Sequence, residues 1–412
     1  MKRALIFGII LLFISSCSGT GQESTDIYGH VQRDSTRNTW HASLTGSDAG
    51  LWFCSWSERT RSGAAVRGAF LERGQRQDFR FLDVSGPVEG VEDERPSAAF
   101  LTDSTLLVVW QRRSGTSNTI LARVLSINGS MREVFEVSNE SAPAMMPSAG
   151  CNTVGEVLVT WQDYRNGDVD IYAQKFDASA RRIGTNVKIN DDNSHALQGQ
   201  PRAAADNAST FLLLWPDNRD DGAWKFYYQR FGSANARNVL IDSAQRKAMT
   251  TLISGTSLGN DSAVFAWKDY REGHSNIYLR RADLNKGTFT SAERINDDTG
   301  ERWQRLAAID GNGQGNIVLC WEDYRNTEIN QRGDIYMQAF ARDGLRIGAN
   351  MKVNDRDDRI ARKMPSIVME SDGLYLVIWH QGEEGAFHLA GQWLRYPSER
   401  VGANFCLTCG KE

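Results

Sequence analysis

Four times in this chain an aspartate and an arginine stand one residue apart: Asp163 and Arg165, Asp217 and Arg219, Asp269 and Arg271, Asp323 and Arg325. A carboxylate and a guanidinium at that spacing can hold a sugar, a peptide terminus or a cation. They can equally serve the chain itself, the Asp capping its own loop while the Arg bridges to a neighbouring unit. A pair that recurs once per repeat is expected to serve the repeat. On that reading Asp163→Ala and Asp269→Ala behave alike. Function is then sought where the pattern breaks, at Ser57-Glu58-Arg59, Gln111-Arg112-Arg113 and His380-Gln381-Gly382-Glu383-Glu384.

Other reactive groupings are sparse, and no catalytic residue, metal or cofactor is expected. Gly255–Gly259 spells G-x-S-x-G, but that string needs a strand-to-helix elbow, and here it falls in a loop between two strands. His195, His274 and His380 fall on one face but on different units, too far apart to converge on a metal. The clusters Asp191-Asp192-Asn193, Asp297-Asp298 and Asp355–Asp358 offer oxygens for calcium without the ligand-and-glycine spacing of a dedicated loop. Cys54 and Cys320 read as small buried residues. Cys406 and Cys409 close the chain, where an exported protein would form a local disulfide.

The elements that position these groups follow from one phrase, Val157–Asp177. It opens on an apolar run ending at Trp161, passes a polar connection with an Asn166-Gly167 turn, and returns as Asp170–Phe176. In that return strand Ile171, Ala173 and Lys175 share one face, and Tyr172, Gln174 and Phe176 share the other. Close copies end their first run on Trp215, Trp267 and Trp321, and looser ones on Trp56, Trp110 and Trp379. A period of roughly fifty residues marks a structural unit. Each unit reads as four strands: in the third, Pro147–Gly150, Val157–Trp161, Asp170–Phe176 and Asn186–Ile189. Apart from Ala4–Ile14, no window carries a helical period.

The expected fold is all-β, a single β-propeller of seven four-stranded blades, with six or eight as alternatives. A ring lets every blade cover both neighbours and leaves no end to cap. The phrase Trp-x-Asp-x-Arg…Asp-Ile-Tyr-x-Gln resembles the repeat of many secreted bacterial propeller proteins, from Asp26 to about Cys406. That resemblance implies the fold and leaves the function open, since such propellers serve as ligand-binding, scaffold and occasionally enzyme domains. The phrase recurs early at Asp26–Gln32, which could close, extend or flank the ring. Sialidase-type Ser-x-Asp-x-Gly-x-Thr-Trp boxes are absent.

In an up-and-down blade, the links between strands two and three and the links between blades share a face. The longest polar loops are of this kind, so the ligand is sought there. The candidates are the four Asp-x-Arg pairs with His380 and Glu383.

At the N-terminus, Lys2 and Arg3, the apolar run Ala4–Ile14 and Ser15-Ser16 have the build of a secretory signal too short to span a bilayer. Ile14-Ser15-Ser16-Cys17 resembles the lipobox of bacterial lipoproteins. That implies cleavage before an acylated Cys17, and Ser18 implies passage to the outer membrane. Residues 1–16 are then signal, 17–25 a lipidated tether, and 26–412 the propeller. Loss of Lys2 and Arg3 takes the formal net charge from −4 to −6, which argues against a nucleic-acid partner. The expected function is a binding or scaffold module for a protein or glycan at the cell envelope, with a sialidase-like or other glycoside hydrolase as the alternative.

Overall fold

The computed structural model describes residues 39–408 apart from 48, 61, 73–78, 140–141, 193, 221, 247–252, 327–331, 356–359 and 384–385; side chains are also left undescribed at 39, 243–246, 306, 383 and 386. Cys17, Asp26–Gln32 and Cys409 lie outside the described residues. Those that are described form strands and turns without helix. The chain is all-β.

Successive antiparallel meanders account for every strand, and we call them units I to VII. Their first strands are Thr39–Gly46, Val91–Thr102, Ala144–Cys151, Arg202–Ala205, Ile253–Gly259, Gln304–Gly311 and Ala361–Met369. Their second strands carry Trp56, Trp110, Trp161, Trp215, Trp267, Trp321 and Trp379, each wholly buried. Hydrogen bonding groups the strands into six sheets rather than seven, because units I and II share an eight-stranded one. The joint is a short parallel pairing of Gly63 with Val91 and Ala64 with Glu92. Gly63 is required there. Its φ is +150°, and a Cβ would stand 2.0 Å from the Val91 carbonyl oxygen.

Period-two alternation along the second and third strands sends side chains to both faces of each meander. In the third strand of unit III, Ile171 and Ala173 pack towards unit IV while Tyr172 and Phe176 pack towards unit II. Among the described residues, apolar clusters join I to II, II to III, and so on to VI and VII. A further cluster returns from VII to I, placing Leu376, Ile378 and Trp393 against Leu44, Trp52 and Trp56. First strands of successive units lie side by side, and Ala361–Met369 lies beside Thr39–Gly46. This cyclic, propeller-like arrangement surrounds an axis lined by first strands.

Two expectations need correcting. The outermost strand of unit III is Arg182–Lys188, not Asn186–Ile189, since a solvated edge strand lacks the apolar pattern that would locate it. Gly255–Gly259 lies within the first strand of unit V rather than in a loop.

Candidate functional site

The Asp-x-Arg pairs of units III to VI adopt one geometry. The indole N–H of Trp161 donates to Asp163 at 2.7 Å, that of Trp215 to Asp217 at 3.0 Å, that of Trp267 to Asp269 at 3.0 Å, and that of Trp321 to Asp323 at 2.8 Å. The other oxygen of each Asp accepts the backbone N–H of its arginine at 2.9 Å. The guanidinium folds back onto the same carboxylate at 2.7–2.8 Å. It also lies over a tyrosine of the next strand: Arg165 over Tyr172, Arg219 over Tyr227, Arg271 over Tyr278, Arg325 over Tyr336, at 4.1–4.6 Å. Each arginine then reaches back towards the preceding unit, to the Ser138 carbonyl, Asp191, Asp242 or Asp297. Each carboxylate is thus buried with its hydrogen bonds made within its own unit. Among the described residues no Asp-x-Arg arginine bonds the Asp-x-Arg aspartate of another unit, so the four pairs form four separate braces.

Units VII, I and II lack this brace, and their strand pairing runs further past the tryptophan. Their second strands run to Glu383, Thr60 and Ser114, four residues past the tryptophan, whereas the braced units stop two residues past it. In unit VII the Trp379 indole donates to Gln381 at 3.0 Å, and in units I and II ionic pairs replace the brace. Asp93, wholly buried, takes Arg112 in a fork at 2.7–2.8 Å, Glu92 joins Arg59 and Arg113, and Glu58 takes Arg67 at 3.0 Å. Between the unit I and unit II hairpins lies an open cleft of about 490 Å³ lined by Arg59, Ser62, Gly90, Glu92, Arg113 and Gly115.

His380 and Glu383 belong to the hairpin of unit VII. Glu383 ends a strand, and its side chain is outside the described residues. His380 faces inward and is buried; its Nε2 accepts the backbone N–H of Ala42 at 3.4 Å, across the contact between units VII and I. The same latch recurs from the residue after the tryptophan in other units. Ser57 Oγ takes the Arg95 amide, Gln111 Oε1 takes that of Met146, and Glu322 Oε1 takes that of Met364. Cys406 is disulfide-bonded. His195 is exposed, and its Nδ1 lies 2.7 Å from the accepting carboxylate of Asp168.

The His380 latch makes the ring closure sensitive to acid. Burial, then the neighbouring His388, push the His380 pKa down to about 4, and burial does the same to His388. A histidine lowered in the folded state leaves stability at its full value above the unfolded pKa near 6.5, and stability falls between there and about 4. Asp310, pushed up to about 6 by burial, acts in the opposite sense. Gln111 shows that glutamine can make this latch. His380→Gln should therefore lose less stability than the wild type between about pH 6.5 and 4. Equal losses in paired thermal melts would dismiss His380 as the acid-sensitive group.

The axis end of this face holds residues that sequence reasoning missed. The first strands of units I, II, III and VII, and in unit IV the residue two before the strand, place a non-glycine residue at positive φ: His41 (56°), Arg95 (54°), Met146 (57°), Gln200 (46°) and Met364 (54°). Every one stands fifteen residues before its unit's tryptophan. At such a bulge the strand turns its side chain out of the regular alternation. His41 faces Arg95, His380 and Arg202, and burial followed by those neighbours holds its pKa well below the usual value. Burial pushes the Glu94 carboxyl up, against the pull of Arg95 and Arg59. The only sequence signal for these positions was their distance from the tryptophan.

No protein-family model matches the chain, and no curated protein matches it. Solved structures do. A prolyl endopeptidase aligns with a TM-score of 0.53 at 11% identity, covering 90% of this chain and 49% of its own. A sialidase, Hadza microbial Hz136, aligns at 0.48 and 10% identity, covering 84% of this chain and 76% of its own. An α-L-arabinofuranosidase of Fusarium graminearum aligns at 0.46 and 10% identity, covering 92% and 98%. What the likeness shows is the fold. This chain spans about half the length of the prolyl endopeptidase it matches.

Proposed function

We propose that this chain is an exported, lipid-anchored envelope protein whose residues 26–412 form a single seven-bladed ring acting as a binding or scaffold module. The observation that carries the binding role is the broken repeat. Four units spend their loop charges on internal braces, while units VII, I and II lack the brace and the hairpins of units I and II flank an open, charged cleft. Residues that depart from a repeat are free to serve something other than the repeat.

Seven blades are supported by seven buried strand tryptophans and by apolar clusters that run from unit to unit and return from VII to I. The parallel joint at Gly63 accounts for the lower number of sheets. Export is supported by Lys2, Arg3, the apolar run and Ser15-Ser16-Cys17, and by the disulfide at Cys406. The ligand is a protein or glycan of the envelope. A glycan and peptidoglycan binding screen tests this, run with wild type and with Arg59→Ser/Arg113→Ser. Binding that persists undiminished in the double variant places the site elsewhere.

One observation favours a second reading, a glycoside hydrolase. Glu94 sits at the axis with its carboxyl pushed up by burial, as a general acid requires. Such an enzyme also needs a second carboxylate about 5–9 Å away. The adjacent Asp93 is locked in its fork with Arg112. Hydrolysis of aryl glycosides by wild type and its loss in Glu94→Gln would support this reading; an inert wild type would remove it.

A further inference from the structure

Thirteen residues before the tryptophan, the first strands hold Ser43, Ser97, Ser148, Ser254, Ala308 and Ser366, and in unit IV alone they hold Arg202. The strand pairing confirms the equivalence. Each of these residues stands opposite the residue just before the tryptophan: Ser43 opposite Ser55, Ser97 opposite Val109, Arg202 opposite Leu214, Ser366 opposite Ile378. The small side chain has a job. Ser97 Oγ accepts the Ala149 amide at 3.0 Å, and Ser148 Oγ accepts the Ala203 amide at 3.1 Å, stitching neighbouring first strands. Arg202 gives up that stitch to place a guanidinium at the axis.

Its neighbours make the exchange costly. Arg202 is open to solvent yet surrounded by protein, the situation of a residue inside a channel. The groups facing it across the axis are Arg95 and His41. Among the described residues no carboxylate lies within ion-pair distance of Arg202. His41 Nδ1 is buried and, among the described residues, has no hydrogen-bond partner. His41 and Arg95 occupy the two adjacent positive-φ bulges of units I and II, where units III, IV and VII carry the uncharged Met146, Gln200 and Met364. Three nitrogen side chains from three units thus converge where the repeat would supply serine and neutral residues. Arg95 has the Glu94 carboxyl beside it, so the charge left without a carboxylate is that of Arg202, and a guanidinium in partly desolvated surroundings is stabilised when an anion offsets it.

We propose that the channel mouth between units I, II and IV binds an oxyanion, a carboxylate or phosphate group, held by Arg202, Arg95 and His41. The proposal rests on the reading of this face as a ligand face and names the chemistry of its ligand. Guanidinium pairs with either oxyanion through forked hydrogen bonds.

The test uses the whole chain in detergent, titrated with inorganic phosphate, galacturonate or neutral galactose and followed by calorimetry and thermal melting. At least one anion is expected to bind and raise the melting temperature, with galactose inert. Binding by phosphate alone identifies a phosphate ligand, and binding by galacturonate alone a carboxylated sugar. Arg202→Gln should weaken binding roughly tenfold or more and raise the melting temperature of the ligand-free protein, since a like charge is removed. Arg95→Gln should weaken binding similarly, and Gln200 shows that glutamine is accepted at such a bulge. An inert wild type, unchanged affinity in Arg202→Gln, or a ligand-free variant that melts below wild type overturns the site. If the glycan screen is positive and is lost in Arg59→Ser/Arg113→Ser while neither anion binds, the anion site fails and the face reading stands. If the screen is empty while phosphate binds and is lost in Arg202→Gln, the anion site holds.

Discussion

Asp323→Ala is expected to lower stability by about 3–5 kcal/mol, as when one partner of a buried pair is deleted. The substitution leaves the Trp321 indole N–H without its acceptor, frees the capped Arg325 amide and removes both forks of the guanidinium contact. Asp217→Ala should fall in the same range. Asp269→Ala belongs near or below the low end, because Arg271 is 30% exposed against 12% for Arg219 and 18% for Arg325. The repeat alone had led to equal effects, and these local differences refine that. Denaturant melts of the purified variants check the order. A silent Asp323→Ala would mean that the brace is ornamental and return the pairs to candidacy as ligand groups.

Cys17→Ser is expected to move the protein almost completely from the detergent phase to the aqueous phase. Two or three acyl chains anchor stably, and the apolar run Ala4–Ile14 is too short to span a bilayer. The described residues contain no helix long and apolar enough to cross a membrane. Phase partitioning of wild type and variant from the producing cells reads this directly. A variant that stays in the detergent phase sinks the lipoprotein proposal, and unprocessed Lys2 and Arg3 in the mature wild type would do the same.

The strands of this fold were legible because burial leaves a mark on residue type. Every second strand carries a mostly apolar run leading to a buried tryptophan, and the return strand Asp170–Phe176 falls where its alternation put it. Outer strands were misplaced because their exposed faces accept almost any residue. The sharing of one sheet by units I and II was invisible, since two backbone pairings at Gly63 leave no pattern in the side chains. The candidate site was legible only as a place. The sequence pointed to the broken units, where the strand pairing runs further and the Asp-x-Arg brace is missing. It could not show that His41 and Arg95 take a left-handed backbone, because neither residue type encodes it. Arg202 was hidden for a different reason. It lies inside a unit whose Trp215, Asp217 and Arg219 all obey the repeat, so attention went to the units that did not.

The return contact between units VII and I has a consequence for how the chain assembles. Among the described residues both meanders complete their four strands from their own stretch of sequence, and the seam is held by side chains, by Trp52 on Glu370 and by Ala42 on His380, with no exchanged strand. Residues more than three hundred positions apart must meet there, and closing so long a span carries a large entropic penalty. During synthesis from the N-terminus, units I to VI can stack as each emerges, while Leu44, Trp52 and Trp56 wait with an open flank for the last unit. That flank is an adhesive surface until unit VII arrives. The nascent chain is therefore most exposed to capture by a second copy of itself, or by a chaperone, in the interval before its final meander is made.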